Sequence, residues 1–329
     1  MSGGGSQVDT LKQDLRGKHY VVTGANTGLG YVTARELAKM GAKVTLACRN
    51  EDKGKAAVEK IREEALEKPV KEGVSLLEGL DGVDVNFELV DLGSLQSIIE
   101  FSQRFKASGA KVDALINNAG ILALPERQET VDGYEMQIGV NYVGHHLLTR
   151  LMEPCIKDGI GRVVFLSSMG HRDTIPGFPV FTIDWDNLNY EKPGTYSDWE
   201  AYRRSKLANI LDAKEFGKRL AQRGITTYAV HPGAIWTGLE RHLNEDTIKA
   251  LDSQFDIITP LEGSLTTLKC AIDPELGKPA LSGRYWANLQ EEKPSDAASD
   301  PANPPRYWEV MEGLLEAKLG KKVDDMIQW

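Results

Sequence analysis

Cysteine is scarce in this chain: three among 329 residues, Cys48, Cys155 and Cys270. They stand far apart, and no C-x-x-C or comparable spacing exists, so there is no thiolate metal motif and no dithiol redox motif. A reducing compartment is the default for such a chain, and each cysteine reads as a small buried hydrophobe. Long apolar runs are missing as well. Nothing approaches the ~18 consecutive apolar residues of a membrane span, and the opening M-S-G-G-G-S-Q lacks the apolar core of a secretory signal. A cytoplasmic protein with a flexible stretch over 1–16 is the expectation. Positive charge is in deficit: the net charge is −9 and the pI about 5.3. That balance argues against a nucleic-acid-binding face and against docking on an anionic membrane. No segment repeats at a fixed period.

What the chain does have is a regular alternation. Short β-branched runs at 19–23, 43–48, 85–90, 112–116, 161–167 and 226–230 are separated by longer helical patterns, among them 28–40, which stops at Gly41, and 52–65. The strands are nearly continuous in apolar character, as strands covered on both faces are. Their alternation with helices implies right-handed βαβ units. The expected fold is therefore α/β, a doubly wound parallel sheet with helices on both faces, in one domain over 17–290. Three segments interrupt the rhythm. Residues 68–82 lengthen the connection between the second helix and the third strand. Residues 170–199, with Pro176, Pro179 and Pro193, read as surface structure over a site. Residues 290–305, rich in Pro, Asp, Ser and Ala, read as a loop. Beyond them, 307–319 carries Trp308, Met311, Leu314, Leu315 and Leu319 at helical spacing. This predicts an amphipathic helix that docks, so that 291–329 forms a C-terminal loop and helix.

The run V-V-T-G-A-N-T-G-L-G follows the first strand and opens the first helix. A helix N-terminus offers unpaired N–H groups and partial positive charge to a pyrophosphate. Glycines let the backbone turn tightly and approach the phosphates. Gly24, Gly28 and Gly30, with Asn26, Thr27 and Leu29 between them, are thus candidate contacts to a dinucleotide. The strand before and the helix after supply the context that a glycine triplet alone lacks. At the end of the second strand an acid would bond the ribose 2′-hydroxyl of NAD. Arg49 stands there instead, and a guanidinium pairs with a 2′-phosphate. NADP(H) is therefore expected; the alternative is a solvated surface arginine, and Glu51 and Asp52 lie close by. Asp91, beside Leu92, ends the third strand and could accept a hydrogen bond from the adenine amino group, or cap the helix that starts near Ser94. Asn117, Asn118, Ala119 and Gly120 end the fourth strand, where small residues admit the adenosine half of a cofactor.

Tyr202 and Lys206 are one helical turn apart and share a face. A fixed ammonium ~5 Å from the phenol, at an effective dielectric of ~20, favours the phenolate by about 3 kcal/mol. The expectation is a tyrosine pKa well below its ordinary ~10, suited to proton exchange with a substrate oxygen. The Tyr-x-x-x-Lys spacing alone recurs by chance roughly once in a chain this long. Its weight comes from the order of the other pieces. Ser168 ends the fifth strand and could donate to the same oxygen, or simply satisfy backbone groups. Asn141, in the helix after the fourth strand, could hold a water that links Lys206 to solvent. Pro232, Gly233, Ile235 and Thr237 follow the sixth strand and could shape a nicotinamide pocket, with Thr237 bonding the carboxamide or a phosphate. His231 in the same loop reads as structural. His145 and His146 are adjacent and point to different helix faces, so no metal site is expected. Residues 121–125, 170–199 and 236–251 are the expected pocket walls, and their Phe178, Phe181, Trp185 and Trp236 suggest an apolar substrate.

Taken together, T-G-A-N-T-G-L-G, V-D-L-G-S-L, N-N-A-G, V-N-Y-V-G, F-L-S-S, Y-R-R-S-K and H-P-G-A-I-W-T, collinear over about 17–290, resemble the short-chain dehydrogenase/reductase family. The resemblance implies a single-domain Rossmann fold with a seven-stranded sheet, the tetrad Asn141, Ser168, Tyr202 and Lys206, and hydride transfer with NADP(H). A-Y-R-R-S-K-L-A-N-I-L and the long gap from Ser168 to Tyr202 resemble the retinol dehydrogenase branch, whose members act on hydrophobic carbonyls and alcohols. S-G-R-Y-W and R-Y-W-E-V near the end resemble light-dependent protochlorophyllide reductases, which usually carry a cysteine where this chain has Ala234. Three functions are therefore in view: a carbonyl reductase or alcohol dehydrogenase on a small hydrophobic substrate, a light-dependent C=C reductase, and a cofactor-binding redox sensor without turnover. The family also implies a homodimer through the helices holding Asn141 and Tyr202, a face that extended tails can block.

Overall fold

Eight strands join in one sheet in the computed structural model, which describes residues 8–67, 72–172, 174 and 183–327. In chain order, β1 His19–Thr23, α1 Gly28–Lys39, β2 Lys43–Cys48, α2 Glu51–Leu66, β3 Asp84–Leu89 and α3 Leu95–Ala107 build one half. The other half is β4 Ala114–Asn117, α4 Gly144–Met152, β5 Arg162–Leu166, α5 Asp198–Arg219 and β6 Thr226–His231. Then follow α6 Glu245–Gln254, α7 Pro260–Ile272, β7 Arg284–Ala287, β8 Gln290–Glu291, α8 Asp296–Ser299 and α9 Asn303–Leu319. The strand order is β3-β2-β1-β4-β5-β6-β7-β8. The first seven run parallel and β8 is antiparallel to β7. The sheet thus has one strand more than the expected seven.

Both faces are buried, which is why the strands read as continuous apolar runs. Side chains alternate between the faces: Val21, Leu115, Val163 and Phe165 enter the core that also holds residues of α3, α4, α5 and α9. Tyr20, Val22, Ile116 and Val164 enter the core that holds residues of α1, α2 and α7. Strand order reverses between β1 and β4, so the connections leaving these two strands diverge to opposite faces and open a crevice at their carboxyl ends.

Several expectations are corrected. The expected flexible stretch over 1–16 is anchored at two points: Val8 and Leu15 are buried, and the Leu15 N–H donates to the Met40 carbonyl at 2.9 Å. The fourth strand is shorter than 112–116, because Val112 pairs only in an isolated bridge with Ile156. Of the long 68–82 connection, the described part docks on α1, where the buried Glu36 carboxylate accepts from the Val74 N–H at 2.6 Å. Residues 290–305 are not a plain loop. A tight turn with positive φ at Asn288 and Leu289 returns the chain as β8, and α8 and the start of α9 follow.

The C-terminal helix docks as its pattern predicts. It buries Tyr307, Trp308, Met311 and Leu315, with Tyr307 edge-on to Tyr142 at 5.1 Å and Trp308 edge-on to Phe216 at 4.8 Å. Trp185, expected in a pocket wall, instead packs on Tyr307 at 5.5 Å and under the Arg306 guanidinium at 4.2 Å. Pro176, Phe178, Pro179 and Phe181 lie outside the described residues. Among the described residues no helix is long and apolar enough to cross a membrane.

Candidate active site

A cleft of about 790 Å³ opens along the carboxyl ends of β1 to β6, within the usual size range of a ligand site. Gly24, Asn26, Thr27, Gly28, Leu29 and Gly30 line one side of it. Two of the glycines are demanded by the geometry. Gly28 has φ +57, and a Cβ there would stand 2.9 Å from the Thr237 Cβ. A Cβ on Gly30 would stand 2.3 Å from the Asn118 Nδ2, and that amide is committed to the Thr23 carbonyl at 2.8 Å. The Thr23 hydroxyl in turn accepts from the N–H groups of Asn118 and Ala119 at 2.9 and 3.0 Å. The chain leaving β4 is therefore fastened to the end of β1, just before the glycine turn, by bonds that each pair a backbone group with a side chain.

At one end the cleft is lined by Arg49, Asn50 and Lys53. Asn50 caps α2 by accepting from the Lys53 N–H at 2.9 Å. The two nearby acids do not line the cleft, and Glu51 pairs with Lys55 at 2.6 Å. Lys53 lies four residues past Arg49, a spacing from which the sequence could have singled it out. Asp91 and Leu92 line the floor, and one Asp91 carboxylate oxygen accepts from the Gly93 N–H at 2.9 Å. Cys48 lines the cleft too, but burial pushes its thiol up to about 11, which leaves it protonated and unreactive at neutral pH.

Ala119 and Gly120 line the cleft; Asn117 does not. The Asn117 side chain is buried under α4, donating to the Thr149 hydroxyl at 2.9 Å. The residue that faces the cleft is Asn118. Asn141 is also absent from the lining. It sits in a π-turn, Gly139–Val143, that leads into α4, a local widening often found at functional sites. Its carboxamide accepts from the Ile121 N–H at 2.7 Å and donates to the Ile121 carbonyl at 2.9 Å and the Ser205 hydroxyl at 3.0 Å. These bonds hold the Ile121 wall. Its backbone carbonyl accepts from His145 at 3.1 Å, and the far nitrogen of that ring meets the Thr23 hydroxyl at 2.8 Å. His145 thus ties the π-turn to β1, neutral because burial lowers it to about 3.

Ser168, Tyr202 and Lys206 meet at the middle of the cleft. Lys206 is buried, its ammonium 5.6 Å from the centre of the Tyr202 ring and donating to the Leu166 carbonyl at 2.9 Å. Gly120 lies beside it, and a Cβ there would be in ordinary contact with the Lys206 Nζ, at 3.5 Å. The expected lowering of the phenol is overturned. Burial pushes Tyr202 up to about 12; a hydrogen bond with Ser168 works against this, and the Glu240 carboxylate adds to it. Burial also lowers Lys206 to about 8. The distance-based expectation treated both groups as solvated, whereas removal from water disfavours both charged forms.

His231 at the end of β6 and the loop after it, with Pro232, Gly233, Ala234, Ile235, Trp236 and Thr237, line the cleft. The Thr237 hydroxyl is buried without a hydrogen-bond partner. Glu240, within the expected 236–251 wall, lines the cleft, and so do Phe255 and Ile257, which lie beyond that wall and were not anticipated. The Glu240 carboxylate accepts from the Thr237 and Gly238 N–H groups at 3.0 and 2.8 Å. Burial holds His231 neutral, down to about 3.

The profile of short chain dehydrogenases matches residues 18–182. Retinol dehydrogenase 11 of Mus musculus is 39% identical over 313 residues, spanning 94% of this chain and 90% of that protein. Retinol dehydrogenase 12 of Homo sapiens is 39% identical over 303 residues, 92% of this chain and 87% of that protein. Among solved structures, an uncharacterised protein from Mycobacterium paratuberculosis is 32% identical with a TM-score of 0.69, covering 92% of this chain and 95% of that one.

Proposed function

This chain belongs to the short-chain dehydrogenase family, on its retinol dehydrogenase-like branch, and from that membership we propose an NADP(H)-dependent oxidoreductase that interconverts a carbonyl and an alcohol on an apolar substrate. The observation that carries the reading is the convergence of a glycine cradle, Ser168, Tyr202 and Lys206 on one cleft. The cleft fits a dinucleotide on two counts. Gly28 and Gly30 leave space that any side chain would fill, and beside Gly28 the Thr237 hydroxyl is buried without a partner. Arg49 and Lys53 offer two cations for a 2′-phosphate, while the competing Glu51 is engaged by Lys55. Bound there, NADP(H) supplies or accepts the hydride.

Tyr202, raised to about 12, keeps its proton at neutral pH and serves as the acid that protonates the substrate oxygen during reduction. Ser168 steadies the same oxygen by a hydrogen bond. Lys206, a cation below about pH 8, favours the phenolate left behind. Ile121, Leu122, Trp199, Leu251, Phe255 and Ile257 give the walls an apolar character. The relatives are named for retinol, which makes retinal a natural member of a substrate panel. Ala234 lines the cleft at the position where light-dependent reductases usually carry a cysteine, so the C=C reductase reading has less support.

The test is consumption of NADPH with hydrophobic aldehydes and ketones, retinal among them, with NADH in parallel. Turnover with NADPH preferred is expected. Tight NADPH binding with no turnover on a broad panel overturns the enzyme in favour of a sensor. In the same assay Tyr202→Phe is expected to lose turnover at least ~100-fold while NADPH binding survives. Normal turnover by that variant rejects Tyr202 as the acid.

A further inference from the structure

His171 is fully buried, three residues past Ser168, and does not line the cleft. Its Nδ1 lies 2.5 Å from the Ser168 carbonyl oxygen. Its Nε2 lies 3.1 Å from the backbone nitrogen of Ser295. A carbonyl only accepts and a backbone N–H only donates, so the two bonds fix the tautomer: the proton is on Nδ1 and the lone pair on Nε2. Burial keeps the ring neutral, lowering it to about 4. The imidazole also packs on Tyr285 of β7 at 4.8 Å.

These contacts act on the oxygens of Ser168. Its carbonyl accepts both the His171 ring N–H and, at 3.2 Å, the His171 backbone N–H. Its hydroxyl oxygen accepts from the Gly170 N–H at 3.1 Å, which leaves the hydroxyl hydrogen to be donated to a substrate oxygen beside Tyr202. The turn is gripped again from α5, where Arg203, next to Tyr202, donates to the Gly170 carbonyl at 3.2 Å and the Arg172 carbonyl at 2.8 Å. On the far side Arg172 pairs with Glu292 at 3.3 Å, and Ser295 caps α8. Ser295, 124 residues from His171 in sequence, is thus linked through that ring to the back of the serine.

We propose that His171 is a positioning residue that uses the backbone of Ser295 to hold the Ser168 turn, and with it the Ser168 hydroxyl, in register with Tyr202. The inference rests on the proposed function, in which Ser168 steadies the substrate oxygen. A side chain that only fills space would do as well with either of its bonds removed. A positioning residue needs the bond to Ser168 most.

Two amide variants separate the bonds. In His171→Asn the amide nitrogen falls near the Nδ1 position and can still donate to the Ser168 carbonyl, while the bond to Ser295 is lost. In His171→Gln the amide oxygen falls near the Nε2 position and can still accept from Ser295, while the donor to Ser168 is lost. His171→Gln is expected to lower kcat about tenfold or more, the scale on which small misplacements of a reacting group act, with KM for NADPH little changed. His171→Asn is expected to keep several-fold more kcat than His171→Gln even where its melting temperature is the lower of the two. Should neither histidine variant fold, Ser295→Pro removes only the N–H from the backbone at a φ of −58, which proline adopts. It is compared with Ser295→Ala, which loses the same cap but keeps the N–H. Ser295→Pro is expected to have the lower kcat of the pair. Equal kcat in the two histidine variants, or in the two Ser295 variants, overturns the proposal. Tyr202→Phe is measured alongside. If it is inactive and His171→Gln turns over normally, only the positioning role falls; if it turns over normally, the reading of the cleft falls.

Discussion

At Arg49 the choice between two cofactors reduces to whether one guanidinium meets one phosphate. Charge-assisted hydrogen bonds of this kind contribute about 1.5–3 kcal/mol each. Arg49→Ala is therefore expected to raise KM for NADPH roughly tenfold to a hundredfold and leave KM for NADH nearly unchanged. Steady-state kinetics with both cofactors decides it, and an equal effect on the two would mean a solvated arginine. Tyr202 and Lys206 make a second residue-scale prediction. Burial has raised the phenol to about 12 and lowered the ammonium to about 8. Between those values the tyrosine still carries its proton and the lysine has lost its charge. Reductase kcat/KM should hold steady up to about pH 8 and decline above it, and a profile that stays flat to about pH 10 would exclude Lys206 from the proton transfer.

Among the elements, α9 is held by more than its apolar stripe. His146 on α4 lies between Asp212 of α5 at 2.9 Å and Glu312 of α9 at 3.1 Å, and Arg150 donates to Glu312 at 2.8 Å. Burial alone would lower His146, but the two carboxylates outweigh it and raise the imidazole to about 9. Glu312, although partly buried, is held down to about 2 by His146 and Arg150. The signs follow from linkage. The raised histidine contributes fully below its ordinary 6.5 and loses that contribution as pH rises through about 9. The lowered Glu312 contributes fully above its ordinary 4.5 and loses it as pH falls through about 2. Asp212 is itself raised by burial; it costs stability while ionised and that cost is relieved as pH falls, which offsets part of the loss from Glu312 in acid. Docking of α9 should be firmest between those two ordinary values and weaken in alkali, by on the order of 1–3 kcal/mol. Melting temperature and tryptophan fluorescence across the pH range measure it. His146→Leu should flatten the alkaline decline; an unchanged decline would put its origin elsewhere.

For the molecule as a whole, α9 covers the face of α4 and α5 that the family resemblance implies for a dimer. Tyr142 and Phe216 are buried in the core that takes in Tyr307 and Trp308. Removing residues 302–329 should expose that apolar surface and cause association or precipitation, which light scattering detects. A truncated chain that stays monomeric with an unchanged melting temperature would show that α9 is not holding this face. Much of the architecture was legible from local spacing. Strands buried on both faces read as short apolar runs, the glycine turn sits between a strand and a helix, and Tyr202 and Lys206 are one helical turn apart. These features depend on residues a few positions from one another, so the sequence by itself determined the α/β sheet, the cradle and the pairing of phenol and ammonium. Tertiary structure decided the rest. Asn117 follows the pleat of β4 under Thr149 and leaves the cleft to Asn118, because neighbouring residues of a strand face opposite sides. The β7–β8 turn was hidden because Asn288 and Leu289 adopt positive φ without the glycine that usually marks such a hairpin. Both charged forms at the centre of the cleft are disfavoured by loss of water, a quantity no spacing encodes. His171 meets Ser295 only because the sheet brings the two segments together, and such contacts depend on the packing of the whole chain.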